Sequence, residues 1–333
     1  MNRRTAVWLL LSVGTGVVYG SFFRGLFGPG PWSHSTAWVM TIAFLAVVPF
    51  AMGYLIVAVF VLELRKDGRK ISWVMFFVLP IQSVILALTV ALLLKFEGLI
   101  CLIFAAPPIS VFAIIGGLVA GFVHRGKENN KTTMLSVALA PLLVLAVELH
   151  IPEHFETRTV ETSILIHAPA QTIWSNIEKV DTIQPDELPP SWARRIGFPR
   201  PIAATLSHEG VGGVRHASFA GGLVFTETID HWDALHDLSF SIKANTNAIP
   251  PTTLDEHVTV GGPYFDVLEG QYTLEPLTND LIRLHLRSRE RLSTHFNAYA
   301  GLWADAIMRD IQNSILLVIQ HRCEFVTTDI QIH

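Results

Sequence analysis

Apolar and polar positions divide the chain into two stretches of different rhythm. From Thr5 to Glu148 apolar residues come in long runs, separated by short charged patches. A helix needs about 20 consecutive apolar residues to cross the hydrocarbon of a bilayer. Thr5–Phe23, Ala37–Leu62, Ile71–Leu94, Leu99–Val123 and Thr132–Leu149 reach or approach that length. They predict five membrane helices. Arg3 and Arg4 ahead of the first run resemble the start of a signal peptide. The run continues through Val17-Val18-Tyr19 to Phe22-Phe23 without a convincing small-x-small site, so it reads as a retained helix.

The second stretch alternates. A short link, His150–Glu156, leads into Arg158–His167, whose β-branched residues and alternation predict a strand. Ala168-Pro169-Ala170 breaks it, and Gln171–Lys179 has helical spacing through Ile173, Trp174 and Ile177. A proline-rich stretch follows. Six further strands are expected at Ala203–His208, Val214–Phe219, Leu223–Trp232, Leu238–Ala244, Phe265–Leu274 and Leu281–Arg289, as an antiparallel meander. After Ser293-Thr294, a plausible helix cap, the period changes. Phe296, Tyr299, Ala300, Trp303, Ile307, Ile311, Ser314, Ile315 and Val318 recur at three- and four-residue steps, which predicts one helix over about His295–Arg322.

Composition agrees with a two-part chain. Only 16% of residues are charged, against roughly 25% in a soluble protein, and mean hydropathy is +0.43. The deficit lies in the first half. Lys and Arg mark the cytoplasmic loops of membrane proteins. Arg3 and Arg4, then Arg65, Lys66, Arg69 and Lys70, then Arg125, Lys127 and Lys131 fall on one side. The other side holds Arg24 and Lys95. The reading is a multi-pass protein of the inner membrane, N-terminus cytoplasmic and second half outside. Glu63, Lys95, Glu97 and Glu148 fall at helix ends, where water is in reach, so charge within the spans is nearly absent. That argues for an anchor over a transporter. Gly116, Gly117 and Gly121 form a small-residue face suited to close helix packing.

The net charge of −4 gives no nucleic-acid footprint. Cys101 and Cys323 lie in different halves and form neither a plausible disulfide nor a zinc site. His150 and His154 stand four apart with Pro152 between them and no third ligand nearby; His231 and His236 flank a turn. These read as surface histidines, with no metal and no cofactor expected. Gly210-x-Gly212-Gly213 reads as a turn, since no helix follows it. There is no GxSxG, Walker loop, HExxH or CxxC.

A strand, short helices, six strands and one long closing helix is the order of the helix-grip fold. Thr162–Ile177, TSILIHAPAQTIWSNI, resembles the opening of the SRPBCC superfamily: START-like domains, polyketide cyclases and birch-pollen-allergen relatives. There an apolar strand runs into an Ala-Pro turn and a helix carrying a Trp. Phe225–Ile242, FTETIDHWDALHDLSFSI, resembles its central hairpin. The resemblance covers about 160–322. It implies a curved antiparallel sheet packed on the long helix, with a cavity between them for lipids, sterols, polyketides or other apolar molecules. Some members are cyclases or hydratases, but the superfamily shares no catalytic motif.

The organisation expected is an all-α transmembrane domain over 1–150, a linker over 151–157, an α+β START-like domain over 158–325 and a tail over 326–333. The function expected is a membrane-anchored module binding an apolar small molecule or lipid. Strand parity and helix spacing nominate Phe225, Phe240, Tyr272, Tyr299, Trp303 and Ile307 as contacts, the Tyr and Trp because they pair an apolar face with a polar tip. The bland alternative is that they fill a core. On the strands, Leu223, Phe225, Glu227 and Ile229 share one face, as do Leu268, Tyr272 and Leu274. Glu227 is the odd member of its face. It is either a cavity acid, or it is turned to solvent by a local bulge or held in an internal ion pair with an arginine, and Asp310, at the edge of the helix stripe, invites the same readings. A cyclase/dehydratase-like enzyme using one of these carboxylates is the rival function, and a structural or sensory membrane protein is a third. Arg283, His285, Arg287 and Arg289 form a solvated stripe able to meet anionic headgroups. Asn245–Gly262 is a candidate lid.

Overall fold

The structure, a computed structural model, describes residues 3–28, 39–66, 72–95, 97–124, 131–152, 154–244 and 260–330. The chain forms two compact units: Met1–His154 with Thr294–Phe296, and Phe155–Ser293 with Asn297–His333.

The first unit holds α1 (Arg3–Phe27), α2 (Val48–Lys66), α3 (Met75–Leu93), α4 (Leu99–Val123) and α5 (Lys131–Glu148). All five are long and apolar enough to cross a membrane. α2 is the buried centre, packed on by the other four. Leu10, Val18, Phe22, Leu93, Phe122 and Leu143 point outward from the other helices. So large an apolar exterior suits lipid and not water. A π-helical turn, Ala43–Val47, precedes Pro49. The wider turn accommodates a ring that would clash with an α-helical carbonyl behind it.

The glycines of α4 form the packing face. A Cβ on Gly116 would lie 1.9 Å from the Phe50 carbonyl oxygen of α2, and one on Gly53 would lie 1.9 Å from that of Ala113. Gly117 and Gly121 fit against Phe76 of α3 in the same way. The charged helix ends correct the sequence reading. Glu148 is buried, and its carboxylate accepts from the backbone N–H groups of Ile42 (2.7 Å) and Ala43 (2.9 Å). Those groups open a helix and have no partner within it. Glu97 likewise pairs with Arg24 at 2.5 Å. Both carboxylates reach protein groups instead of water.

The second unit is one seven-stranded antiparallel sheet. In chain order the strands are β1 (Glu156–Ile166), β2 (Pro201–Leu206), β3 (Val214–Phe219), β4 (Val224–Asp233), β5 (Asp237–Ala244), β6 (Phe265–Pro276) and β7 (Ile282–Leu292). Their spatial order is β1-β7-β6-β5-β4-β3-β2. α6 (Ala170–Glu178) and α7 (Trp192–Arg195) fall between β1 and β2, and α8 (Asn297–Ile330) closes the chain. Strand and helix starts differ from expectation by a few residues, and α8 runs past the expected end at Arg322. Thr294 lies three residues ahead of its first residue, Asn297. The Thr294 hydroxyl accepts from the Phe296 N–H in the turn ahead of the helix. Gly210 and Gly212, at φ +99° and +86°, make the β2–β3 turn in a conformation a side chain would strain.

The main core lies between sheet and α8. Ile166, Ile173, Trp174, Ile177, Leu238 and Leu284 meet Leu316, Ile319 and Cys323 there. Trp174, from the Ala-Pro-Ala…Trp segment, packs edge-on to Trp232 with centroids 5.3 Å apart. The alternation along β7 is strict. Ile282, Leu284, Leu286, Ser288, Glu290 and Leu292 are buried, while Arg287 and Arg289 are exposed.

Candidate functional site

α8 buries two neighbouring faces. Met308, Gln312, Leu316, Ile319 and Cys323 follow one another at three- and four-residue steps and are buried. Gln312 donates to the Val160 carbonyl (3.1 Å) and to Ser288 Oγ (2.9 Å), tying α8 to β1 and β7. The stripe expected from the sequence is the adjacent face. Its C-terminal part, Ser314 and Val318, is buried, and Val318 packs with Val180, Ile183, Ala204 and Ala217. Its N-terminal part, Tyr299, Trp303, Ile307 and Ile311, is only half-buried. One helix face thus passes from fully covered to partly open towards its start.

The nominated strand residues divide in the same way. Phe240 and Tyr272 are buried members of the main core, with ring centroids 6.2 Å apart. Phe225 is half-buried, stacks edge-on to Phe219, and touches both the Val318 cluster and a smaller cluster of Val160, Val260, Val267 and Met308. A β-bulge between Val267 and Glu269 shifts the pleat. Val267, and not Leu268, therefore joins the buried side.

Glu227 forms an internal ion pair. It stands opposite Arg215 across the β3–β4 ladder, with Arg215 Nη1 at 2.5 Å from its Oε2. Both side chains are buried. Arg215 also hydrogen-bonds Tyr272 and lies 5.5 Å from the Phe240 ring centroid. Its Nε is buried without a partner. Burial raises the Glu227 carboxyl above its ordinary range against the pull of Arg215, and burial raises the Tyr272 phenol as well. Asp310 is engaged elsewhere. It accepts from Ser191 Oγ at 2.5 Å and from the Ala193 N–H at 3.2 Å, fixing the start of α7 to α8.

The sequence reading passed over Glu290. It is 0% exposed on the inward side of β7, and both its carboxylate oxygens are buried without a partner. Burial, reinforced by Asp305, raises it to about 7. The signal was available, because the apolar face Ile282-Leu284-Leu286 continues by parity into Ser288 and Glu290. The opposite face of β7 is laced with acids from its neighbours. Arg283 meets Glu275, His285 meets Glu161 and Glu275, and Arg289 meets Glu269. That neutralises much of the stripe considered for headgroups. Residues 245–259 of the candidate lid lie outside the described residues. His231 and His236 are exposed beside Asp237 and Asp233. Among the described residues no group of three or more His, Cys, Asp or Glu is placed to hold a metal.

The second unit has the helix-grip fold. Strand order and the closing helix establish this. No protein-family model matches the chain, and no curated protein sequence matches it. Solved structures do. A START superfamily protein from Mycobacterium smegmatis is 11% identical, with 50% of this chain and 98% of that one covered and a TM-score of 0.33. Zhui aromatase/cyclase from Streptomyces sp. R1128 is 17% identical, with 51% and 96% covered and a TM-score of 0.31. DynU16, a putative protein in the dynemicin biosynthetic locus, is 16% identical with a TM-score of 0.28, and the match spans 47% of this chain and 45% of that one.

Proposed function

We propose that the helix-grip unit binds an apolar small molecule or lipid between its sheet and the first half of α8, and that the five apolar helices hold it at the outer face of the inner membrane. The supporting observation is the change along one face of α8. Ser314 and Val318 are sealed, while Ile307, Trp303 and Tyr299 are large, apolar and half-uncovered. Large apolar groups left part-open on α8, with Phe225 half-buried against the clusters of Val318 and Met308, suit an occupant. The short link over 151–157 would keep the site near the bilayer, where such molecules partition. The cyclase/dehydratase reading that rested on Glu227 or Asp310 is disfavoured, because Glu227 is held by Arg215 and Asp310 by Ser191 and Ala193. An acid/base group needs a proton route to substrate, and these carboxylates are engaged by protein groups.

Native mass spectrometry of the full chain from mild detergent tests the reading. One apolar molecule per chain is expected, with occupancy falling at least about fivefold in Trp303→Ala and Phe225→Ala. A chain that carries no such molecule, and gains none from lipid extract, removes the proposal.

A further inference from the structure

Arg158 stands opposite Glu290 across the β1–β7 ladder. Its donors go elsewhere. Nε and Nη2 bind the Asp305 carboxylate at 2.9 and 2.8 Å, and Nη1 binds Glu156 at 2.5 Å. Glu290 receives nothing from it, and both its oxygens are buried without a partner. Among the described residues, the charged groups acting on it are Arg158 on β1 and Asp305 and Arg309 on α8, and Glu156 on β1 pairs with Arg158. Arg309 reaches Asp305 at 3.7 Å and is largely exposed. On β6 the residue beside Glu290 is the neutral Val267. With Glu290 ionised, three carboxylates would share two guanidiniums, and Glu290 would carry its charge with no hydrogen-bond donor and no water on either oxygen. An isolated buried charge is untenable, and a buried carboxyl with no hydrogen bond wastes its polar capacity.

We infer that Glu290 anchors the polar head of the bound molecule, and that the molecule is an apolar body carrying one ammonium group. This rests on the binding role proposed above. An ammonium supplies the missing positive charge and three donors for the two free oxygens. An alcohol supplies one donor and no charge, and a carboxylic acid would face Glu290 and Asp305 with like charge. The apolar body has a wall in reach: Val160, Val267 and Met308, with Phe225, Ile242 and Phe265 only partly buried against them.

Three probes of one shape separate the outcomes: 2-(2-naphthyl)ethylamine, 2-(2-naphthyl)ethanol and 2-naphthylacetate. Each is titrated calorimetrically into the full chain in lipid nanodiscs, with empty nanodiscs as reference. The amine is expected to bind at least about tenfold tighter than the alcohol, with the acid weakest. Its affinity should rise about tenfold per pH unit as Glu290 ionises and level above about pH 7. Glu290→Gln should abolish both the preference and the slope. Equal binding of amine and alcohol with no pH slope in the native chain overturns the role of Glu290 and leaves the proposed binding of an apolar molecule untouched. If no probe binds beyond the empty discs, the binding site itself is refuted.

Discussion

Arg215 and Glu227 meet deep in the helix-grip unit, where a lone charge has no water to turn to. Arg215→Met should therefore cost roughly 3–5 kcal/mol, because the penalty falls on the carboxylate left behind. Arg215→Met with Glu227→Leu should recover most of that. Urea unfolding of the full chain, followed by a near-UV signal from the aromatics of the second unit, measures both. Equal losses in the single and double variants would show that the pair is not coupled. Glu290 gives the opposite pH signature to a salt-bridged acid. Its folded value is about 7 against an ordinary 4.5. The folded state therefore holds this proton more tightly than the unfolded one. The contribution to stability is complete below about pH 4.5 and is lost as pH rises through about 7. It amounts to about 3 kcal/mol by linkage. Opening free energies of β7 and α8 amides, from hydrogen exchange between pH 5 and 8, should fall over that window and flatten in Glu290→Gln. A native chain already flat across the window would contradict the burial of this group.

At the scale of elements, α4 rests on its glycines. A methyl on Gly116 has a backbone carbonyl of α2 in its way, and a carbonyl cannot rotate aside as a side chain can. Gly116→Ala should force the helices apart and cost at least about 1–3 kcal/mol, the usual range for overpacking. Gly14→Ala, where a Cβ meets nothing within 4 Å, should be neutral. Melting temperatures in detergent compare the two. That small-residue face was legible in the sequence, as were the five apolar runs, the alternation of β7 and the long closing helix. The misreadings have physical causes. The bulge at Val267/Glu269 adds a residue to one strand and reverses its parity, which a period of two cannot register. On α8 two adjacent faces are apolar, so spacing alone finds a helix without deciding which face is sealed and which stands open. For Glu227 the sequence left open a cavity acid, a solvent-turned bulge and an ion pair, since its partner Arg215 is set by strand register and not by sequence distance. Glu148 was misjudged because the helix opening it serves, at Ile42 and Ala43, lies more than a hundred residues away.

For the whole molecule, the proposed orientation in the membrane rests on charge asymmetry and is open to direct test. Arg65 and Lys66 close α2, Arg125 and Lys127 lie between α4 and α5, and Lys131 opens α5; the positive-inside rule is the ground for proposing that these loops are cytoplasmic. In that proposed orientation, five crossings would carry the second unit to the other side. Two sites report on this without disturbing the fold. Lys66 is exposed at the end of α2, and Val211 is exposed in the β2–β3 turn. In intact cells a membrane-impermeant maleimide should label Val211→Cys and leave Lys66→Cys untouched, and lysis should make Lys66→Cys reactive. Cys323 will not confuse the result. It is buried against the main core, and burial holds its thiol up to about 12, so the reactive thiolate is scarce at neutral pH. Labelling of Lys66→Cys in intact cells with Val211→Cys protected would place the helix-grip unit in the cytoplasm. The ligand would then be sought among cytoplasmic metabolites, while the Glu290 chemistry would stand unchanged, because that carboxylate is set by its neighbours within the unit.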